Sequence, residues 1–197
     1  MPPKQKISKE LILKAAYQIV RENGIDAVNA RKISQALSCS TQPVYSCFAT
    51  MEQLRKSVFE YSCNKFCAQV TDNQDDPNFL SLSAKWYLRL MRAEPNLYRM
   101  LYFSDGFNAS KLSSLISSYT SNDVIVAKMS SIYRLDEDSC RQILMRTFAL
   151  LHGIGTLVAF NSFEISDDEI IGMVKQTAAE MVHAAKAQRG EATNEKV

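Results

Sequence analysis

The chain has 197 residues, a net charge of +2, 46% apolar and 22% charged residues, as expected of an ordinary globular protein with one large domain or two small ones. Six glycines and five prolines leave few turns, which argues against a many-stranded β fold and for long helices. Met1–Lys6 leads into a charged amphipathic stretch without an apolar leader core, and the apolar run 148–160, broken by His152 and Thr156, is shorter than the roughly 20 residues that span a bilayer. The expectation is therefore a cytoplasmic protein without a membrane partner.

Residues 1–50 carry seven Lys/Arg and three Asp/Glu, while 51–197 carry sixteen against eighteen. A basic N-terminal module on a mildly acidic body suits a polyanionic partner. The five cysteines, at 39, 47, 63, 67 and 140, contain no CxxC unit and read as reduced thiols.

In chain order, Ser8 is placed to cap a first helix in which Leu11, Ala15 and Ile19, with Ile12, Ala16 and Val20, follow the i, i+4 period, and Gly24 is placed to stop it. Asn29 caps a second helix, 30–37. Ser38, Cys39 and Ser40 form a turn, and Ser40 is expected to cap a third helix starting at Thr41, with Pro43 at its third position. Thr50 with Gln53 forms a capping box for a long helix over 51–70. After the polar break 72–78, helices are expected at 79–93, 95–103, 109–119, 123–133, 136–161 and 166–188. Asp136 caps one and Ser166 with Glu169 another, and a frayed tail follows from Arg189.

A helix of about eight residues, a short turn and a second short helix make a helix-turn-helix. Such a unit fits the major groove, with the first residues of the second helix at base edges. The polar tip is Thr41, Gln42 and Ser46, with Tyr45 at the edge of the core. Gln can pair bidentately with adenine and Thr can offer its methyl to thymine. Lys4, Lys6, Lys9, Arg31 and Lys32 fall where backbone contact is expected. Val44, Tyr45 and Phe48 are expected to supply the inward face of the third helix, with Phe48 in the core.

The ordered set Ile12-Leu13-Lys14-Ala15-Ala16, Asn23-Gly24, Ala30-Arg31-Lys32-Ile33-Ser34, Ser40-Thr41-Gln42-Pro43-Val44-Tyr45, Phe48 and Met51-Glu52-Gln53-Leu54 resembles the DNA-binding domain of the TetR/AcrR family. The resemblance covers about a quarter of the chain. The body, including His152-Gly153-Ile154-Gly155, resembles that family's regulatory domain more loosely.

The resemblance implies an all-α homodimeric regulator, usually a repressor, that binds double-stranded DNA at a palindromic operator. Residues 1–50 would form the helix-turn-helix domain and 51–197 a helical effector-binding and dimerisation domain. Arg31, Thr41, Gln42, Pro43, Tyr45, Ser46 and Arg55 are the DNA-binding candidates. Three positions depart from the pattern: Ser38 replaces a common turn Gly, Cys47 a common His, and Met51 a common phosphate-contacting Lys, for which Arg55 or Lys56 could substitute.

Within the body, Met and aromatic side chains serve the core but also line adaptable cavities. The expected lining for an unidentified small-molecule effector is Trp86, Met91, Tyr102, Met145, Phe148 and His152. The last two long helices repeat apolar residues at helical spacing, which suits a two-fold four-helix interface. Its expected members are Phe148, Leu151, Gly155, Val158, Met173, Thr177 and Met181. Cys63 and Cys67 sit one turn apart, but no further ligand accompanies them, so they read as buried small side chains and no metal or cofactor is expected. No nucleophile–base pair or phosphate loop points to an enzyme. The alternative to a regulator is a helical ligand- or protein-binding module without specific DNA binding.

Overall fold

The structure, a computed structural model, describes residues 7–71, 79–103, 120–161 and 164–194. Among these residues it is all-helical. Helices α1 (Lys9–Asn23), α2 (Ala30–Ala36), α3 (Gln42–Cys47), α4 (Met51–Thr71), α5 (Phe79–Ala93) and α6 (Pro95–Phe103) are followed by α7 (Thr120–Tyr133), α8 (Glu137–Asn161) and α9 (Asp167–Asn194). The expected helix over 109–119 lies outside the described residues.

Local capping decides most of the boundaries. Ser8 Oγ accepts the Leu11 amide at 3.2 Å, and Gly24, at φ 82°, returns its N–H to Val20 O. Asn29 Oδ1 accepts from the Lys32 amide at 2.9 Å. Thr50 Oγ1 accepts from Gln53 N, while Gln53 Oε1 reaches back to Ala49 N. Asp136 accepts from Ser139 N at 2.8 Å. Ser166 and Glu169 cap each other reciprocally, and these bonds hold the Glu169 carboxyl below its ordinary pKa.

Several boundaries differ from expectation: the helix expected at 123–133 starts at Thr120, and two further shifts have a visible cause. Helix α3 starts at Gln42, with Thr41 at its N-cap and no side-chain capping bond, so Ser40 is not the cap and Pro43 sits at the second position. The reason lies in the turn: Ser34 Oγ, within 2.7 Å of Ala30 O, also lies 3.1 Å from Ser40 O, drawing that residue toward α2. The final helix continues past Arg189 to Asn194. Arg189 is anchored to Arg134 O at 3.1 Å and to Asp136 at 3.4 Å, which ties down the segment expected to fray.

The chain groups into two compact units, 1–66 with 93–108, and 67–92 with 109–197. The first takes in more than the expected 1–50 segment, because α6 packs on α1. Ile12, Val20, Ile33, Val44, Phe48 and Leu54, and on α6 Tyr98 and Met100, are all buried. Arg21 of α1 pairs with Glu94, and Asn96 donates to Arg21 O at 3.0 Å. In the second unit α8 packs against α7 and α9, and Val126, Met129, Leu135, Cys140, Ile143 and Ala178 form one apolar cluster.

Candidate nucleic-acid interface

The α2–α3 turn is a tight helix stop. Ser38 N donates to Gln35 O and Cys39 N to Ser34 O, the paired bonds of a Schellman motif. That motif needs a left-handed residue, and Ser38 supplies it at φ 51°. Serine at the position where glycine is usual therefore keeps the turn and bears its steric strain.

From this turn α3 presents two faces. Val44 and Phe48 are buried at 1% and 2% exposure, fastening the helix to the core. Thr41, Gln42, Tyr45 and Ser46 face outward and Pro43 is partly buried. Tyr45 is 56% exposed, so its ring stands clear of the core rather than at its edge. Ser46 Oγ donates to Gln42 O at 2.9 Å. Cys39 and Cys47 are half-buried free thiols.

Several cations lie on α2 and α4, the helices before and after α3 in the chain. Lys14, Arg21, Arg92, Arg141 and Arg189 each pair with a carboxylate. Arg31, Lys32, Arg55 and Lys56 are exposed and have no ion-pair partner among the described residues. Lys9 Nζ lies 5.2 Å from the centre of the Phe48 ring. Arg55 Nη2 donates to Val28 O at 3.4 Å.

In the second unit, a polar pair interrupts the apolar packing of α5 on α8. Tyr87 Oη lies 2.7 Å from His152 Nδ1. Phe148 stacks on His152 at 5.7 Å between centroids, and Tyr87 meets Phe148 edge-on. Burial holds the His152 pKa below its ordinary value, which favours the neutral ring.

No protein-family model matches the chain, and no curated protein matches it. Solved structures do. A TetR-family transcriptional regulator from Streptomyces coelicolor superposes with a TM-score of 0.67 at 12% identity, covering 90% of this chain and 87% of that one. FadR from Bacillus subtilis, solved in complex with stearoyl-CoA, gives 0.57 at 16% identity over 89% and 98%. The TetR-family repressor AlkX from a Dietzia strain gives 0.53 at 17% over 90% and 97%. The fold is that of the TetR-family regulators.

Within this TetR-like fold, the expected effector residues separate. Met91 is buried on α5, and Phe148 and His152 meet on α8. Trp86 is half-buried, with the Arg89 guanidinium 5.1 Å from its ring, and Met145 is half-buried on α8. Tyr102 belongs instead to the first unit, on α6, with its ring 5.3 Å from that of Tyr98. Tyr87 was missing from the expected set. Its signal in the sequence was the i, i+4 spacing with Met91 on one face of α5.

The expected interface residues separate too. Leu151 and Gly155 are buried in the second unit: a Cβ at Gly155 would stand 3.0 Å from Tyr87 Cε1 and 3.2 Å from Met91 Sδ. Met181 packs beside the Ala178 cluster. Phe148, Val158 and Thr177 are half-buried. Met173 is 44% exposed, and Leu157 and Phe160, outside the expected set, are 48% and 50% exposed. Helix α8 over Glu137–Phe160 is long and apolar enough to cross a membrane by length and composition, with about a fifth of its most apolar window buried.

Proposed function

We propose that this chain is a DNA-binding transcriptional regulator, acting as a repressor. The observation that carries this reading is the outward polar tip of α3, Thr41, Gln42, Tyr45 and Ser46, with Arg31, Lys32, Arg55 and Lys56 on the adjoining helices exposed and without a carboxylate partner among the described residues. Base-edge donors and acceptors on a short braced helix suit the major groove, and unpaired cations beside it suit phosphates.

The regulator works as a homodimer. Leu157, Phe160 and Met173 leave large apolar side chains exposed on α8 and α9, which a second copy would cover. Two recognition helices about 34–36 Å apart, or a multiple of that, would read a palindromic operator.

A small molecule bound within the 51–197 body modulates operator binding. Support comes from the Tyr87–His152 pair among Phe148 and Met91, since few convergent polar groups in apolar surroundings suit a ligand site. The similarly folded FadR was solved with stearoyl-CoA. The ligand shifts the population between body conformations, with a coupling of about 1–3 kcal/mol.

Fluorescence anisotropy with duplexes from the region upstream of its own gene tests the reading. Salt-sensitive binding that favours one duplex over its scrambled version is the expected result. Equal affinity for both would leave the helical binding module without specific DNA recognition, a reading favoured by the apolar Met51 at the start of α4.

A further inference from the structure

We infer that the ligand of the second unit is an apolar monocarboxylic acid, its carboxylate held beside Tyr87 and His152 and its proton passed to the His152 ring. This rests on the ligand-site reading above and names the class of that ligand. Tyr87 and Met91 are buried and lie against the bare backbone of Gly155, where a Cβ would meet both. Leu151, one turn before Gly155, is buried as well, and Phe148 stacks on His152. Such surroundings suit an alkyl or aryl body with one polar end. His152 is half-buried, so part of its ring stays within a ligand's reach.

Among the described residues, the titratable group that faces the ring from α5 is the Tyr87 phenol, with Oη 2.7 Å from Nδ1. The two charge states of the ring use this pair differently. A neutral ring can accept the phenol proton at Nδ1. A charged ring donates from Nδ1, the phenol oxygen accepts, and the phenol proton passes to another acceptor. A ligand carboxylate is that acceptor. It also brings the negative charge that offsets an imidazolium in a place where burial favours the neutral ring. The step balances: imidazole and carboxylic acid give imidazolium and carboxylate. An acid already ionised at neutral pH therefore binds with uptake of a proton from solvent. An ester of the same chain brings neither proton nor charge, and an alkylammonium brings charge of the wrong sign.

The test uses the full chain, with octanoate and decanoate as probes and methyl octanoate and octylammonium as controls. Isothermal titration calorimetry in buffers of different ionisation enthalpy is expected to show uptake of about one proton per carboxylate bound, with affinity rising as pH falls from about 8 to 7. Octanoate binds about tenfold or more tightly than its methyl ester. His152→Gln abolishes the proton uptake and brings octanoate down to the ester's affinity. The same variant keeps the wild-type affinity for the ester, which shows that the site is still folded. The chain has two histidines, so their ring resonances give a readout without mutation. Octanoate converts His152 to its charged form near pH 7 and leaves the exposed His183 unchanged.

Equal binding of octanoate and its ester, or tighter binding of octylammonium, overturns the acid class and leaves the effector reading standing. Failure of both carboxylates to bind overturns the class too, as does binding with His152 still neutral or unchanged in His152→Gln. Carboxylates that bind with proton uptake but leave DNA affinity untouched support the class and remove the effector reading instead.

Discussion

The hydroxyl of Tyr87 and Nδ1 of His152, 2.7 Å apart, join α5 to α8 within the second unit. The ring of His152 is stacked on Phe148, and burial lowers its pKa from the ordinary 6.5. The unfolded chain therefore takes up this proton first. Stability from the neutral ring is at its full value above the unfolded pKa and falls as pH drops through it. In thermal melts, the wild-type melting temperature should fall relative to that of His152→Gln between about pH 7 and pH 5. A parallel decline of the two would show that folding does not perturb His152.

Gly155 faces the same tyrosine. An added Cβ would meet Tyr87 Cε1 at 3.0 Å and Met91 Sδ at 3.2 Å. Alanine in a helix interior normally gains about 1 kcal/mol over glycine, but overpacking costs about 1–3 kcal/mol. Gly155→Ala should therefore destabilise the protein despite its better helix propensity. A denaturant midpoint above wild type would show that the two side chains move aside freely.

Ser38 holds a left-handed conformation at φ 51°. A non-glycine residue there is disfavoured by about 1–2 kcal/mol, partly offset by the greater freedom glycine loses on folding. Ser38→Gly should raise stability by about 0.5–1 kcal/mol and leave DNA affinity unchanged. A lower melting temperature would mean that the hydroxyl contributes more than the strain costs.

Gln42 stands exposed on the first turn of α3. Its amide matches the donor–acceptor edge of adenine in the major groove. Gln42→Ala should cost about 1–3 kcal/mol on the preferred duplex and little on random DNA. Equal losses on both would assign Gln42 a role other than base reading.

Leu157 is 48% exposed on α8, and Met173 is 44% exposed on α9. Analytical ultracentrifugation should find the wild type dimeric and Leu157→Glu shifted toward monomer, since a charge buried without a partner opposes association. A variant that sediments as the wild type does would move the contact elsewhere.

Much of this protein was legible before its structure. Helix starts at Ser8, Asn29, Asp136 and Ser166, and the Thr50–Gln53 box, were readable because each cap joins residues three apart, a spacing fixed by helix geometry. The all-α class and the inward Val44 and Phe48 followed from periodicity in the same way, whereas Tyr45, expected on that inward face, stands exposed. What needed the tertiary structure were relations with no local signature. Ser34 reaches Ser40 O, which denies Ser40 the cap. Arg189 anchors to Arg134 O across 55 positions and keeps the last helix intact. Helix α8 has apolar residues on more than one side, so helical spacing alone could not tell which stripe meets its own chain. Tyr87 and Met91, far away in sequence, close over Gly155 and turn it inward, while Leu157 and Phe160 remain exposed. Hydrogen bonds within one helical turn are dictated by the backbone period; packing between distant helices is decided by which surfaces fit, and that only folding the whole chain determines.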